Sequence, residues 1–171
     1  LWEVPLQRVQ DRAVALRALR GPLSAPVAHA LPQRRAHFVH VLLALHLARQ
    51  YAAHLLLIGR GASDESFLER LRTEGARSAR YLSIDITRRD AVERLRGEQV
   101  EVIFHAAGVL RDGLFCEQDE SHSAAVLGPK VTGHRHLTEV LSPERFITFS
   151  SIASIIGNPG QGLYALANGY L

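Results

Sequence analysis

The sequence predicts an α/β protein with a doubly wound parallel sheet in three layers, and three observations predict it. Short apolar blocks alternate with longer helix-like runs from about residue 36 onward. The block His54-Leu55-Leu56-Leu57-Ile58 is continuously apolar, as suits a strand covered by helices on both faces. Small or polar residues follow the blocks at Gly59, at Ala106-Ala107-Gly108 and at Ser150-Ser151. Strands of about four to six residues separated by helices of about ten or more call for crossover connections. Right-handed crossovers then place helices on both sides of the sheet.

In chain order, Leu1 to Leu6 reads as a short extended segment and residues 11–20 as one arginine-rich helix. Gly21, Pro22 and Pro26 break the chain after it. A helix over 36–50 leads into the strand 54–58, which Gly59-Arg60-Gly61 ends. Ser63-Asp64-Glu65 caps a polar helix over 64–74. A strand over 80–84, a helix over 88–96 and a strand over 100–105 follow. The pattern from 120 to 141 is helical, although Pro129 sits where a proline normally kinks or ends a helix. It leads to a strand over 145–150, a loop rich in Gly, Asn and Pro over 154–162, and a last helix beginning near Tyr164. No internal repeat or low-complexity segment interrupts this order. The organisation expected is an N-terminal segment, 1–35, and a catalytic domain, 36–171.

A chain of 171 residues supports one domain with a real core, and 47% apolar with 22% charged residues is ordinary for a soluble one. The net charge of +3 comes from arginines scattered along helices without interleaved aromatics, which speaks against nucleic acid. Such a field suits an anionic cofactor or an acidic protein partner. The single Cys116 excludes a disulfide framework and fits the cytoplasm. The apolar stretch from Phe38 to Ala48 holds His40 and His46 and is too short to span a bilayer, so no membrane is expected. No metal site is expected either. The chain opens at Leu1 without methionine and closes at Leu171 inside a helical pattern, and is read as an excerpt of a longer polypeptide.

In open parallel sheets, ligands bind beyond the carboxyl ends of the strands. Arg60 is placed there to hold a 2′-phosphate, Asp85 to accept from an adenine amino group, and Ala106, Ala107 and Gly108 to let a flat ring approach the backbone. A surface arginine and a turn aspartate are the plainer alternatives. Tyr164 and Asn168 stand at i and i+4 and share a helix face. Singly, Tyr164 could be a packed ring, Asn168 a surface amide and Lys130 a solvated lysine. Lys130, Ser151, Tyr164 and Asn168 together form a coherent acid-catalysis set. A phenol near pKa ~10 is a poor donor at neutral pH, and a nearby ammonium lowers that value. A serine hydroxyl can hydrogen-bond an oxygen on which charge develops, and the amide can hold a water that relays protons.

Specific stretches carry a family resemblance. Val102-Ile103-Phe104-His105-Ala106-Ala107-Gly108-Val109-Leu110-Arg111-Asp112-Gly113, Gly128-Pro129-Lys130-Val131-Thr132-Gly133, Phe149-Ser150-Ser151-Ile152-Ala153 and Gly157-Asn158-Pro159-Gly160-Gln161, followed by Tyr164 and Asn168, resemble the ketoreductase domain of type I modular polyketide synthases. These domains belong to the short-chain dehydrogenase/reductase superfamily. Most of that superfamily carries its lysine four residues after the tyrosine; here Asn168 stands there and the lysine lies upstream at 130, as in the synthase domains. The resemblance runs from about residue 54 to 171.

It implies a Rossmann-like fold and NADPH-dependent reduction of a β-ketoacyl thioester on the phosphopantetheine arm of an acyl carrier protein. Other polyketide synthase domains would be its neighbours. Tyr164 would be the proton donor, Ser151 the carbonyl-orienting hydroxyl, and Lys130 with Asn168 the supporting pair; Arg60, Asp85, Ala106, Ala107 and Gly108 would meet the cofactor. Asp112, matching the last position of a Leu-Asp-Asp signature, and Ile156 in place of tryptophan imply the class that yields the D-configured β-hydroxyl. The resemblance makes residues 1–35 a linker or remnant of a structural subdomain, and implies a substrate lid and a final strand beyond Leu171.

One departure stands out. The family's glycine run would fall at Gln33-Arg34-Arg35-Ala36-His37-Phe38-Val39-His40, and no glycine occurs between Gly21 and Gly59. Those glycines let backbone amides close on a pyrophosphate at a helix N-terminus. The alternatives to a working enzyme are an inactive ketoreductase kept as a structural domain of the synthase, and a local reading-frame error across 31–53. All four reacting residues are retained, which a scaffold would not require.

Overall fold

The computed structural model describes residues 13–16 and 31–171, with side chains described from residue 40 onward. Five strands form one parallel sheet: β1 (Ala13–Leu16), β2 (His54–Gly59), β3 (Ser78–Ser83), β4 (Val102–His105) and β5 (Arg145–Thr148). Their order is β3-β2-β1-β4-β5. Leaving β1, the chain turns towards β2 and β3, and then crosses back to β4 and β5. The order therefore reverses between β1 and β4, where such sheets open a crevice for ligands. The helices are α1 (Leu31–Tyr51), α2 (Glu65–Thr73), α3 (Arg89–Val92), α4 (Glu120–Leu127), α5 (Gly133–Val140), α6 (Ala153–Ile156) and α7 (Gly162–Gly169). The Leu1 to Leu6 segment and the breakers at 21–26 lie outside the described residues.

The apolar run of β2 explains the three layers. Leu55 and Leu57 pack with Leu45 and Ala48 of α1 and with Phe67 and Leu71 of α2. Leu56 and Ile58 face the other way, among Ile84, Val92, Leu95, Ile103 and Leu137. Side chains alternate along a strand, so a strand buried on both faces must be apolar throughout. Each leucine or isoleucine so buried contributes about 1.5–3 kcal/mol.

Of the arginine-rich helix expected over 11–20, the described residues 13–16 are not helical. Ala13–Leu16 is instead the central strand, paired with β2 through Ala13↔Leu55 to Leu16↔Ile58 and with β4 through Ala13↔Val102 to Ala15↔Phe104. Ala and Leu favour helix in isolation, and pairing on both edges overrides that preference. The boundary read at 36 consequently falls inside α1, and the sheet begins upstream of it. The positions expected for the glycine run likewise fall in a helix. Residues 33–40 belong to α1, whereas the β1–α1 connection is 17–30, a stretch whose sequence holds one glycine, Gly21.

Other elements depart less. The helix expected over 88–96 is the single turn α3 followed by a 3₁₀ turn, Glu93–Leu95. The loop over 154–162 contains α6, whose start is fixed by Ser151: its hydroxyl accepts from Ala153 N at 3.2 Å and its carbonyl from Ser154 N at 3.0 Å. The helix expected over 120–141 is α4 and α5 joined by a π-helical segment, Gly128–Thr132. Proline lacks an N–H and crowds the preceding turn, and the widened ladder, closed by Gly133 N on Gly128 O, accommodates it.

α1 ends with Ala52 at φ 45°, its N–H on Ala48 O at 3.2 Å. This left-handed position after a helix favours glycine, because a Cβ is crowded there. Ala52→Gly is therefore expected to stabilise the fold by about 0.5–1 kcal/mol, opposite in sign to the usual effect of that substitution in a helix. A higher melting temperature would show it; a lower one would contradict the strain.

Candidate active site

The carboxyl ends of β2, β3 and β4 border a cleft open to solvent. Arg60, Asp85, Ala107 and Gly108 line it, with Gly59, Thr87 and Pro129. Ala106 is not part of that lining; in extended backbone, neighbouring side chains point to opposite sides. Arg60 is exposed and pairs with no acidic group among the described residues, leaving its charge available at the rim. Asp85 Oδ1 accepts from Thr87 N at 3.0 Å and Thr87 Oγ1 at 2.7 Å, which holds the carboxylate against the turn after β3. Thr87 and Pro129 are cleft residues that the sequence reading did not single out.

On the other side of Gly108 lies Lys130. A Cβ on Gly108 would stand 3.2 Å from Lys130 Cε, so the glycine lets the lysine stem cross the end of β4. The side chain is 4% exposed, and Nζ donates to Phe149 O at 2.7 Å. Burial pushes its pKa down to about 8. The Phe149 peptide is clamped from both ends, because its N–H donates to His105 O at 3.1 Å. His105 is fully buried, and burial first, then the nearby Lys130 charge, pushes its pKa down to about 3, so it stays neutral. The π-helical segment created by Pro129 is what carries Lys130 inward, to the end of β5.

Ser150 and Ser151 follow directly. Ser150 Oγ donates to Asn168 O at 2.8 Å, tying the end of β5 to α7, a contact that sequence reasoning missed in favouring Ser151. Asn168 is 2% exposed; its Nδ2 donates to Tyr164 O at 2.8 Å, while its buried Oδ1 has no protein partner among the described residues. Tyr164 is half-buried against Val126, Leu163 and Ala167. The shared face of Tyr164 and Asn168 is thus realised, through the i, i+4 contact. No hydrogen bond joins the four side chains at 130, 151, 164 and 168 directly. Three contacts to backbone carbonyls tie the region together, Lys130 on Phe149 O, Ser150 on Asn168 O and Asn168 on Tyr164 O, whereas the Ser151 hydroxyl accepts from Ala153 N and joins none of them.

Asp112 lies beyond β4. Both its carboxylate oxygens accept from Gln161 Nε2 at 3.2 Å, just before α7. Among the described residues, no helix is long and apolar enough to cross a membrane, and no cluster of His, Cys, Asp and Glu could hold a metal.

A parallel sheet in this order, with its cleft at the reversal of strand order, defines a Rossmann-like fold of the dehydrogenase and reductase type. The KR domain family matches residues 40–171, and the chain belongs to that family of ketoreductases, oxidoreductases found in polyketide synthases. It is 37% identical over 134 residues to polyketide synthase ThaG of Burkholderia thailandensis, covering 73% of the chain and 2% of that protein. To erythronolide synthase EryA2 of Saccharopolyspora erythraea it is 39% identical over 138 residues, covering 74% of the chain and 4% of that protein. The chain thus spans a small fraction of the synthases it matches. A ketoreductase domain from the bacillaene assembly line superposes with a TM-score of 0.71 at 31% identity, over 77% of this chain and 34% of that one.

Proposed function

We propose that the domain reduces a β-ketoacyl thioester, carried on the phosphopantetheine arm of an acyl carrier protein, to the β-hydroxyacyl thioester, with NADPH as reductant. It would do so in the cytoplasm, among the other domains of a polyketide synthase. The observation that carries this reading is the buried Lys130, anchored on Phe149 O beside the serines and the Tyr164–Asn168 pair. Burying an amine without an ionic partner costs stability, and such costs concentrate at functional sites.

The residues at the cleft fit a nicotinamide dinucleotide. Arg60 offers an unpaired cation for a 2′-phosphate, Asp85 is held in place for an adenine edge, and Ala107 and Gly108 leave the strand end open. When bound, the cofactor supplies the hydride for the β-carbon. The chain supplies the rest. Ser151 hydrogen-bonds the ketone oxygen and orients it. Tyr164 gives that oxygen its proton as charge develops on it. The Lys130 ammonium lowers the cost of the resulting phenolate, and Asn168 Oδ1 offers a buried acceptor for a water that returns a proton. Asp112 supports delivery of the D-configured alcohol.

A second reading, a catalytically inactive domain kept as a scaffold, is favoured by one observation: the β1–α1 connection, 17–30, holds a single glycine where a phosphate-binding turn belongs. A fluorescence titration separates the two. Saturable binding of NADPH at about micromolar to millimolar levels is expected, and Arg60→Ala should weaken it about tenfold while leaving NADH nearly unchanged, the scale of one charge-assisted contact. No binding at millimolar NADPH would favour the scaffold.

A further inference from the structure

We infer that Gln118 is a positioning residue for Asp112, and through it for the configuration of the alcohol produced; this rests on the reading just given. Gln118 ends the 3₁₀ turn Phe115–Glu117. Its side chain folds back under the preceding loop, where Nε2 donates to Arg111 O and to Gly113 O, each at 3.3 Å. The two carbonyls flank Asp112, so one amide brackets that residue from both sides. A Cβ on Gly113 would lie 3.3 Å from the same nitrogen, so a side chain there would press on the amide. Gln118 Oε1 is buried, and the amide is thus committed to the loop rather than to solvent.

The opposite side of the loop is tied to the segment that begins α7. Gly113 N donates to Gly160 O at 2.9 Å, and Gln161 Nε2 reaches both oxygens of Asp112. Gly160 has φ +76° and approaches Gly113 backbone to backbone, its Cβ position 3.6 Å from Gly113 N. Gln161 stands three positions before Tyr164. Gln118 therefore acts at one remove: it fixes the height of the 111–113 backbone, which sets Asp112 against Gln161, the residue just before α7. A loop released from Gln118 would keep its side chains and lose their placement.

Two substitutions test this in the intact domain. Gln118→Glu keeps the shape and, when ionised, removes both donated hydrogens; Gln118→Leu removes them at every pH. In both, amide exchange at Gly113 is expected to rise about tenfold at pH 7, the scale of one lost hydrogen bond, while the amides of β2 and β4 keep their protection. In the Glu variant, part of the protection should return as the pH falls to about 4, where a protonated carboxyl again donates; the Leu variant should show no such return. With a β-ketoacyl thioester, both variants should lose selectivity between the two alcohol configurations without losing NADPH affinity. Unchanged exchange at Gly113, or a rise spread evenly over the sheet, would overturn the positioning role. A loosened loop with an unchanged product ratio would overturn its effect on product configuration. The exchange arm needs no turnover, so failure of the proposed reduction would be seen separately.

Discussion

Tyr164→Phe is expected to lower ketone reduction by about 10²–10⁴-fold, the range for loss of a positioned proton donor. The fold should barely notice. The ring of Tyr164 packs on Val126, Leu163 and Ala167, and phenylalanine keeps that packing. Its hydroxyl donates to no described residue, so removing it leaves no buried group without its partner. The Asn168 contact runs to the Tyr164 carbonyl, which the substitution does not touch. Cofactor affinity, which the proposed function assigns to Arg60, Asp85 and Gly108 in the cleft, should stay within about twofold, as for sites without shared partners. The measurement is single-turnover oxidation of NADPH beside a thermal melt. Full turnover in the variant would remove Tyr164 from the chemistry; a large fall in melting temperature would make its role structural.

The parts of this molecule that were legible in the sequence are those where local pattern and tertiary demand agree. The run at 54–58 had to be apolar on both faces, and the two separate clusters around Leu55 and Leu56 show why. The Tyr164–Asn168 face followed from helical spacing alone. Ala13–Leu16 was illegible for the opposite reason. Four residues flanked by arginines, three of them with good helix propensity, become a strand because two other strands pair with them. The positions at which the resemblance puts the glycine run, 33–40, prove to lie in α1. The π-helical segment at Gly128–Thr132 was half legible: Pro129 announced a disturbance, but not that the ladder would widen and turn Lys130 inward. Contacts to backbone carbonyls, such as Ser150 on Asn168 and Gln118 on the 111–113 loop, leave no spacing signature at all.

Lys130→Met should abolish reduction and yet make the domain more stable at neutral pH. Burial lowers the pKa of this amine from 10.5 to about 8, which means that the folded state resists its charge. Between about pH 8 and 10.5 the unfolded chain holds a proton that the folded chain has released, so stability rises with pH across that window. Below pH 8 both states are protonated, and the full penalty stands. A shift of this size corresponds to about 3 kcal/mol, reduced in the substitution by about 1 kcal/mol for the hydrogen bond to Phe149 O that is lost. Methionine keeps an unbranched apolar stem against Gly108, so little packing is lost. The expected result is therefore a gain of about 1–2 kcal/mol at pH 7 that vanishes, or reverses, towards pH 10. Urea denaturation of both proteins at pH 7 and pH 9.5 measures it, and taking the difference cancels every group the two proteins share. Parallel stability curves would mean that the amine reaches water when charged, and the reading of Lys130 as a buried amine held for chemistry would fail with them. A stabilised, inactive variant is the signature of a residue kept for chemistry at the expense of the fold.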